Sequence, residues 1–160
     1  MSRTWKVFEL CPDRSAIFSD PGIKGLLVLR SGAKLVRAKI PQGSRLDFVL
    51  EAAGKLLFLE VKSVNWVEDG VALFPDGVTS RGRRHLEHLQ ELVGQGHQAW
   101  NVFVVQRHDA RVFKPAAAID PAYARELAAG AAGGVQIMVL QEKIEPPEIT
   151  LASLLPFDLT

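Results

Sequence analysis

The chain has one cysteine, Cys11, so it forms no disulfide of its own, and stability has to come from packing. A reducing compartment fits that economy, and the cytoplasm is the expected location. No apolar stretch approaches the roughly 18 residues that a membrane-spanning helix needs. Asp13, Arg14, Asp20 and Lys24 break up the first apolar segments, so no secretory leader is expected there. No Gly-rich loop runs into Lys-Ser or Lys-Thr, which excludes P-loop nucleotide hydrolysis. Ser44 and Ser63 lie in no Gly-x-Ser-x-Gly setting, so no serine nucleophile recommends itself. Net charge is only +1 and by itself selects no partner. There is no internal repeat, low-complexity tract or linker.

What is present is an ordinary globular composition. The 160 residues are 48% hydrophobic and 23% charged, enough for one domain with a full core. The most informative stretch is Arg45-Leu46-Asp47-Phe48-Val49-Leu50 followed by Leu57-Phe58-Leu59-Glu60-Val61-Lys62-Ser63-Val64. Both halves alternate, and Ala52-Ala53-Gly54-Lys55 separates them, which predicts a β-hairpin. With the turn at Ala53-Gly54, Asp47 faces Glu60 and Arg45 faces Lys62, with Cβ atoms roughly 4.5–5.5 Å apart. Leu46/Val61, Phe48/Leu59 and Leu50/Leu57 form the opposite, apolar side.

Two carboxylates at that separation repel, and one pKa rises unless a cation intervenes. A hard divalent ion, Mg²⁺ or Mn²⁺, would relieve the conflict through oxygen ligands. Lys62 points to the same face and can orient a water or hold developing negative charge. A solvated sheet face with Glu60 paired to Lys62 or Arg45 explains the same spacing.

Charge is unevenly distributed. Residues 1–62 hold 11 Lys/Arg against 6 Asp/Glu, and residues 63–160 hold 8 against 12. Arg30, Lys34, Arg37, Lys39 and Arg45 form a stretch with no acid, leading into the acidic hairpin. Such a stretch can grip a polyanion, or be a solvated strand face.

Elsewhere, Trp5 to Leu10 opens a short helix or strand, Ser15 to Phe18 is ambiguous, and Gly25 to Leu29 is a short buried run. Leu35 to Ile40 is read as a strand completing a meander with the hairpin. Asp69-Gly70 predicts a second hairpin joining Val64–Val67 to Val71–Phe74. Thr79 or Ser80 caps a helix to about Val93, with Leu86, Leu89, Leu92 and Val93 as its apolar stripe. Ala99 to Val105 reads as a strand buried on both faces after a crossover helix. Asp120-Pro121 starts a second helix ending at Gly133-Gly134, and Val135–Leu140 is another buried strand before a final strand or arm. The expected fold is α/β, a mixed sheet with helices on its faces.

An acid on the second meander strand, Glu-x-Lys on the third, then helix and strand, resembles the PD-(D/E)xK restriction-endonuclease-like fold. The surrounding words are more specific: Gly43-Ser44-Arg45-Leu46-Asp47-Phe48, Leu59-Glu60-Val61-Lys62-Ser63-Val64, Ala72-Leu73-Phe74-Pro75-Asp76, Thr79-x-Arg81-Gly82-x-x-His85-Leu86, Phe103-Val104-Val105-Gln106-Arg107 and Ile119-Asp120-Pro121-x-Tyr123. Over residues 35–160 they resemble the sugar fermentation stimulation protein A (SfsA) family. The resemblance implies a DNA-binding domain with metal-dependent nuclease (hydrolase) activity and a regulatory link to sugar metabolism; a non-catalytic DNA-binding regulator is the alternative. It makes Asp47 and Glu60 metal ligands, the Val61 carbonyl a third, and Lys62 the residue at the water or phosphate. It places Arg81 and His85 near the site.

Two departures stand out. Family members carry an N-terminal OB-like domain of several dozen residues, whereas residues 1–34 here are too few for one and are read as a segment packing on the 35–160 domain. The fold also takes an acid from its first helix, for which Glu9 is the nearest candidate; Ser80 stands where the family often has Glu. Of the remaining candidates, Arg45, Arg81, Arg84 and His85 are assigned to nucleic acid, DNA or alternatively RNA, and Gln106 to the site edge. His88 with His85 can hold a transition metal, though no Cys or third His stands at ligand spacing. His85 is otherwise a phosphate contact or a hydrogen-bond partner of Glu60 or Thr79. Trp66 and Trp100 are read as core, and Asp76 as a cap. A homodimer is compatible with everything above.

Overall fold

In the computed structural model of this chain, residues 6–9, 15–19, 26–30, 34–35, 46–52, 55–145 and 148–160 are described, with side chains over 46–49, 56–142 and 153–160. The first three strands, β1 (Lys6–Glu9), β2 (Ser15–Ser19) and β3 (Leu26–Arg30), form an antiparallel sheet of their own. The helix considered around Glu9 is therefore a strand. Its Val7 and Phe8 are β-formers, and four residues are too few for a stable helix. The expected packing of residues 1–34 on the core falls on side chains outside the described residues.

The main sheet has six strands. The meander is β4 (Lys34–Leu35), β5 (Phe48–Ala52) and β6 (Lys55–Val64). Residues 36–40 of the expected strand lie outside the described residues. After Asn65 the chain leaves this sheet. β7 (Trp66–Glu68) and β8 (Val71–Phe74) make the second hairpin, turning at Asp69 (φ 48°) and Gly70 (φ 83°). Positive φ at both positions matches the twist of the flanking strands, and Gly adopts it without a Cβ clash.

Helix α1 (Ser80–Gly94) starts where the Thr79 hydroxyl accepts from the Gly82 N–H at 3.0 Å; Thr79, not Asp76, is its cap. It crosses to β9 (Gln98–Val105), parallel to β6. A short β10 (Val112–Pro115) joins the smaller sheet beside β8. α2 (Pro121–Ala132) is capped by Asp120, and β11 (Gln136–Glu145) returns parallel to β9 before β12 (Glu148–Leu154) pairs with it antiparallel. The order is β12-β11-β9-β6-β5-β4, a mixed sheet as expected.

Both helices lie on one face of this sheet. That face presents Phe58, Glu60 and Val64 from β6, Ala99, Asn101, Phe103 and Val105 from β9, and Val139 from β11. α1 contributes Leu86, Leu89 and Leu92, and α2 contributes Tyr123 and Leu127. Each buried Val, Leu or Phe side chain among these contributes roughly 1.5–3 kcal/mol. Phe74, Phe103, Phe113 and Tyr123 stack in a cluster, with the Phe103 and Phe113 ring centroids 4.2 Å apart, joining the two sheets to α2. Leu59, Val102, Val104 and Leu140 on the opposite face are also buried. Glu60 and Asn101 are therefore buried polar residues in rows that are largely core, with Lys62 and Gln141 on the same face.

Candidate functional site

The hairpin has the register read from its alternation, with Phe48 beside Leu59, Val49 beside Phe58 and Leu50 beside Leu57. Backbone pairing stops at Phe48, one residue before Asp47 would face Glu60. Asp47 bends there, and its Oδ2 accepts from the Val61 N–H at 2.8 Å. The side chain thus takes over the ladder where the backbone leaves it. The N–H and C=O of one strand residue point to the same edge, so the Val61 carbonyl opens beside the same carboxylate.

At Glu60 the face is not solvated. Glu60 is 2% exposed, because α1 closes over its row. A buried carboxylate needs partners, and Glu60 Oε1 has two. Lys62 Nζ donates to it at 2.5 Å, and the His85 Nδ1 contacts it closely. Lys62 Nζ stands 3.4 Å from His85 Nδ1. A proton on Nδ1 makes the imidazole a donor to Glu60 and leaves the ammonium as its neighbour. His85 is thus the Glu60 partner that its spacing allowed. The other oxygen, Oε2, is buried and has no hydrogen-bond partner.

The two acids are pushed in opposite directions. Burial drives the Glu60 pKa up, but the His85 hydrogen bond and the Lys62 charge outweigh it and hold Glu60 below the ordinary carboxylate value. Asp47 is raised, first by partial desolvation and then by the charge of Glu60, against the opposing Val61 bond and Lys62 charge. Asp47 remains exposed by surface area; the crowding is at its carboxyl group.

Asp47, Glu60, Val61, Lys62 and His85 are thus brought together. Arg81 and Arg84 are exposed on the first turns of α1, whose first turn holds no acid. Gln106 is half-buried just beyond β9, and its N–H donates to the Val64 carbonyl at 2.9 Å. Arg45 and the Glu9 side chain lie outside the described residues. Trp66 and Trp100 are half-buried, not fully core, and the Trp66 indole N–H donates to Glu68 at 2.9 Å. Among the described residues no three His, Cys, Asp or Glu side chains stand together closely enough to form a metal cage alone. That includes the pairing of His85 with His88, since His85 turns to Glu60.

Two residues, Asn101 and Tyr123, were not assigned to the site from the sequence. Asn101 sits wholly buried on the β9 rung beside Glu60, and its Nδ2 lies 3.5 Å from the Tyr123 hydroxyl on α2. A lone carboxamide inside a doubly buried strand was the available signal, since buried polar groups demand partners.

A family sequence model, the sugar fermentation stimulation protein RE domain, matches residues 23–148, starting earlier than the resemblance drawn from motifs. The chain is 43% identical over 136 residues to the sugar fermentation stimulation protein homolog of Citrifermentans bemidjiense, covering 84% of this chain and 59% of that protein. It is 39% identical over 146 residues to the homolog of a Shewanella species, covering 89% and 62%. Among solved structures, Pyrococcus furiosus SfsA in complex with Ca²⁺ matches with a TM-score of 0.75 and 30% identity, over 80% of this chain and 56% of that one. The chain thus spans somewhat over half the length of these relatives. From the match of the family model over most of its length, the chain belongs to the sugar fermentation stimulation protein family.

Proposed function

We propose that this chain is a divalent-metal-dependent phosphodiesterase acting on nucleic acid, DNA in the first instance and RNA as the alternative. The observation that carries the reading is the buried, partnerless Oε2 of Glu60 close to an Asp47 whose ionised form is destabilised by desolvation and by the Glu60 charge. An orphaned anionic oxygen beside a second carboxylate fits a hard cation, with Asp47, Glu60 and the Val61 carbonyl as the chain's ligands. The solved relative that contains Ca²⁺ supports a divalent ion of this kind, with Mg²⁺ or Mn²⁺ the ions proposed for activity. Bound there, such an ion would polarise a phosphoryl oxygen and make water acidic enough to supply a nucleophile.

The chain's own groups divide the remaining work. The Val61 N–H fixes the Asp47 carboxylate, and His85 fixes that of Glu60. Lys62 brings an ammonium to the acids, and its side chain is 14% exposed. From there it can hold a phosphate oxygen or align a water as charge develops. Arg81 and Arg84 flank an α1 start that carries positive partial charge and no acid, which favours the phosphate backbone. Contacts of that kind position nucleic acid without reading its sequence.

One observation favours a second reading, a nucleic-acid-binding domain without turnover. Lys62 and His85 both spend their contacts on Glu60 Oε1, and no third acid or His among the described residues completes a cage. Incubation of plasmid and single-stranded substrates with Mg²⁺ or Mn²⁺ separates the two. Cleavage is expected from the wild type and is lost by at least about 100-fold in Asp47→Ala and Lys62→Ala, in the range for removing groups that act on the transition state. Equal cleavage by all three proteins overturns the site assignment. Retarded DNA that stays intact selects the second reading.

A further inference from the structure

Asn101 and Glu60 are partners on adjacent parallel strands, and both belong to the row under the helices. Paired Cα atoms in neighbouring strands stand about 4.8 Å apart, with their side chains leaving the same face. Each of the two residues has a buried oxygen with no partner, Asn101 Oδ1 and Glu60 Oε2. Meanwhile Asn101 Nδ2, a donor, lies 3.5 Å from Tyr123 Oη, at the outer limit for a hydrogen bond. The phenol can accept from the amide, but only at this limit, while two buried oxygens on neighbouring rungs go unpaired.

The oxygen and nitrogen of a carboxamide are nearly the same size, and their placement is settled by the hydrogen bonds each orientation makes. A half-turn about the last Asn101 torsion sets Oδ1 toward the Tyr123 hydroxyl and frees Nδ2 for an acceptor, and Glu60 is the neighbour on the adjoining rung. The phenol then donates to a carbonyl oxygen, and the amide has the Glu60 carboxylate as its acceptor. Both orphaned oxygens acquire donors from one rotation. Burial raises the Tyr123 pKa, and the Glu60 charge, within reach of the phenol, adds to it. The three residues thus share one neighbourhood.

We infer that Asn101 is a positioning residue for Glu60, donating through Nδ2 to Oε2 and accepting from the Tyr123 hydroxyl through Oδ1. The relay ties the carboxylate to α2 through one oxygen, as Lys62 and His85 tie it to β6 and α1 through the other. A carboxylate oxygen has a second lone pair, so the same Oε2 remains able to ligate a cation. The hydrogen bonds are independent of the proposed activity; their effect on cation affinity rests on the reading of Glu60 as a ligand.

The test follows the Asn101 side-chain amide resonances in metal-free, ¹⁵N-labelled protein. Glu60→Gln, which removes the acceptor charge, is expected to move them more than Tyr123→Phe. The reverse order, or no response to Glu60→Gln, overturns the relay in favour of an amide bonded to Tyr123 alone. Calorimetry with Mn²⁺ reads the consequence. Asn101→Leu is expected to weaken binding by about 10- to 100-fold, the usual range for a group that orients a ligand. Asn101→Ser serves the same purpose if the leucine variant does not fold. Unchanged affinity in a folded variant overturns the positioning role. If the wild type binds no Mn²⁺, the metal reading fails, and the amide resonances still decide the relay.

Discussion

Asp47 and Glu60 illustrate how one pair of like charges can be made tolerable unequally. Glu60 has a cation and an imidazole on one oxygen, and its ionised form is stabilised despite burial. Asp47 has one backbone donor, and desolvation of its carboxyl and then the repelling Glu60 penalise its ionised form. A carboxyl whose folded pKa is raised lowers stability as pH climbs from its ordinary value of 3.8 through the folded one. Asp47→Asn keeps an acceptor for the Val61 N–H and removes the charge. In metal-free protein at pH 7 it is expected to stabilise the fold, by less than about 1 kcal/mol given the exposure of the residue. The gain should vanish below the carboxylate range, where Asp47 is protonated anyway. Glu60 has the opposite sign: its contribution is present above 4.5 and is lost as pH falls through the depressed folded value. Urea denaturation of both proteins between pH 3 and 7 checks this, and an Asp47→Asn variant less stable than wild type at pH 7 would contradict it. A residue that costs stability and is the proposed ligand of a cation fits the pattern expected at a functional site.

Elements whose periodicity and punctuation agree were legible from the sequence. The Asp69-Gly70 turn, the Thr79 and Asp120 caps and the 57–64 alternation each combine two independent cues. β10 was not legible, because Val112-Phe113-Lys114-Pro115 is four residues long and ends in Pro. Its strand exists because Phe113 enters the aromatic cluster and β8 offers an open edge. How the helices meet was equally hidden. Asp120 accepts from the Thr79 N–H and the Tyr123 N–H, both at 2.9 Å, so one carboxylate joins the two helix starts. Gly82 lets them approach: a Cβ there would lie 2.8 Å from Thr79 Cγ2 and 3.0 Å from Tyr123 Cε2. In an isolated helix Gly→Ala gains about 1 kcal/mol. Here the clash involves the cap and a fully buried ring, and overpacking costs about 1–3 kcal/mol. Gly82→Ala is therefore expected to lower the urea midpoint without changing the slope of the transition; a raised midpoint would show that α1 and α2 are free to separate.

Across the whole molecule, the sequence located the acids and the lysine but not the burial of Glu60. Alternation reports which residues share a face of a strand, and it is silent on what covers that face. Helix α1, about 25 residues further along, decides that Glu60 is a core residue and brings His85 to it. Charge distribution, by contrast, is a property the sequence carries whole. Residues 1–62 have an excess of five positive charges and residues 63–160 an excess of four negative ones, yet Arg81 and Arg84 sit exposed on α1, two turns or less from the His85 that touches Glu60. If α1 delivers phosphates to that carboxylate, these two arginines have to be backbone contacts, each displacing counterions. Double-stranded DNA binding then weakens with salt by about 0.9 in log–log slope per phosphate neutralised. Substituting both Arg81 and Arg84 by Gln is expected to reduce the slope by about 2 and to weaken binding to unrelated sequences equally. Fluorescence anisotropy across a salt series measures both quantities. An unaltered slope would mean that the polyanion bypasses α1 and that the acids face some other ligand.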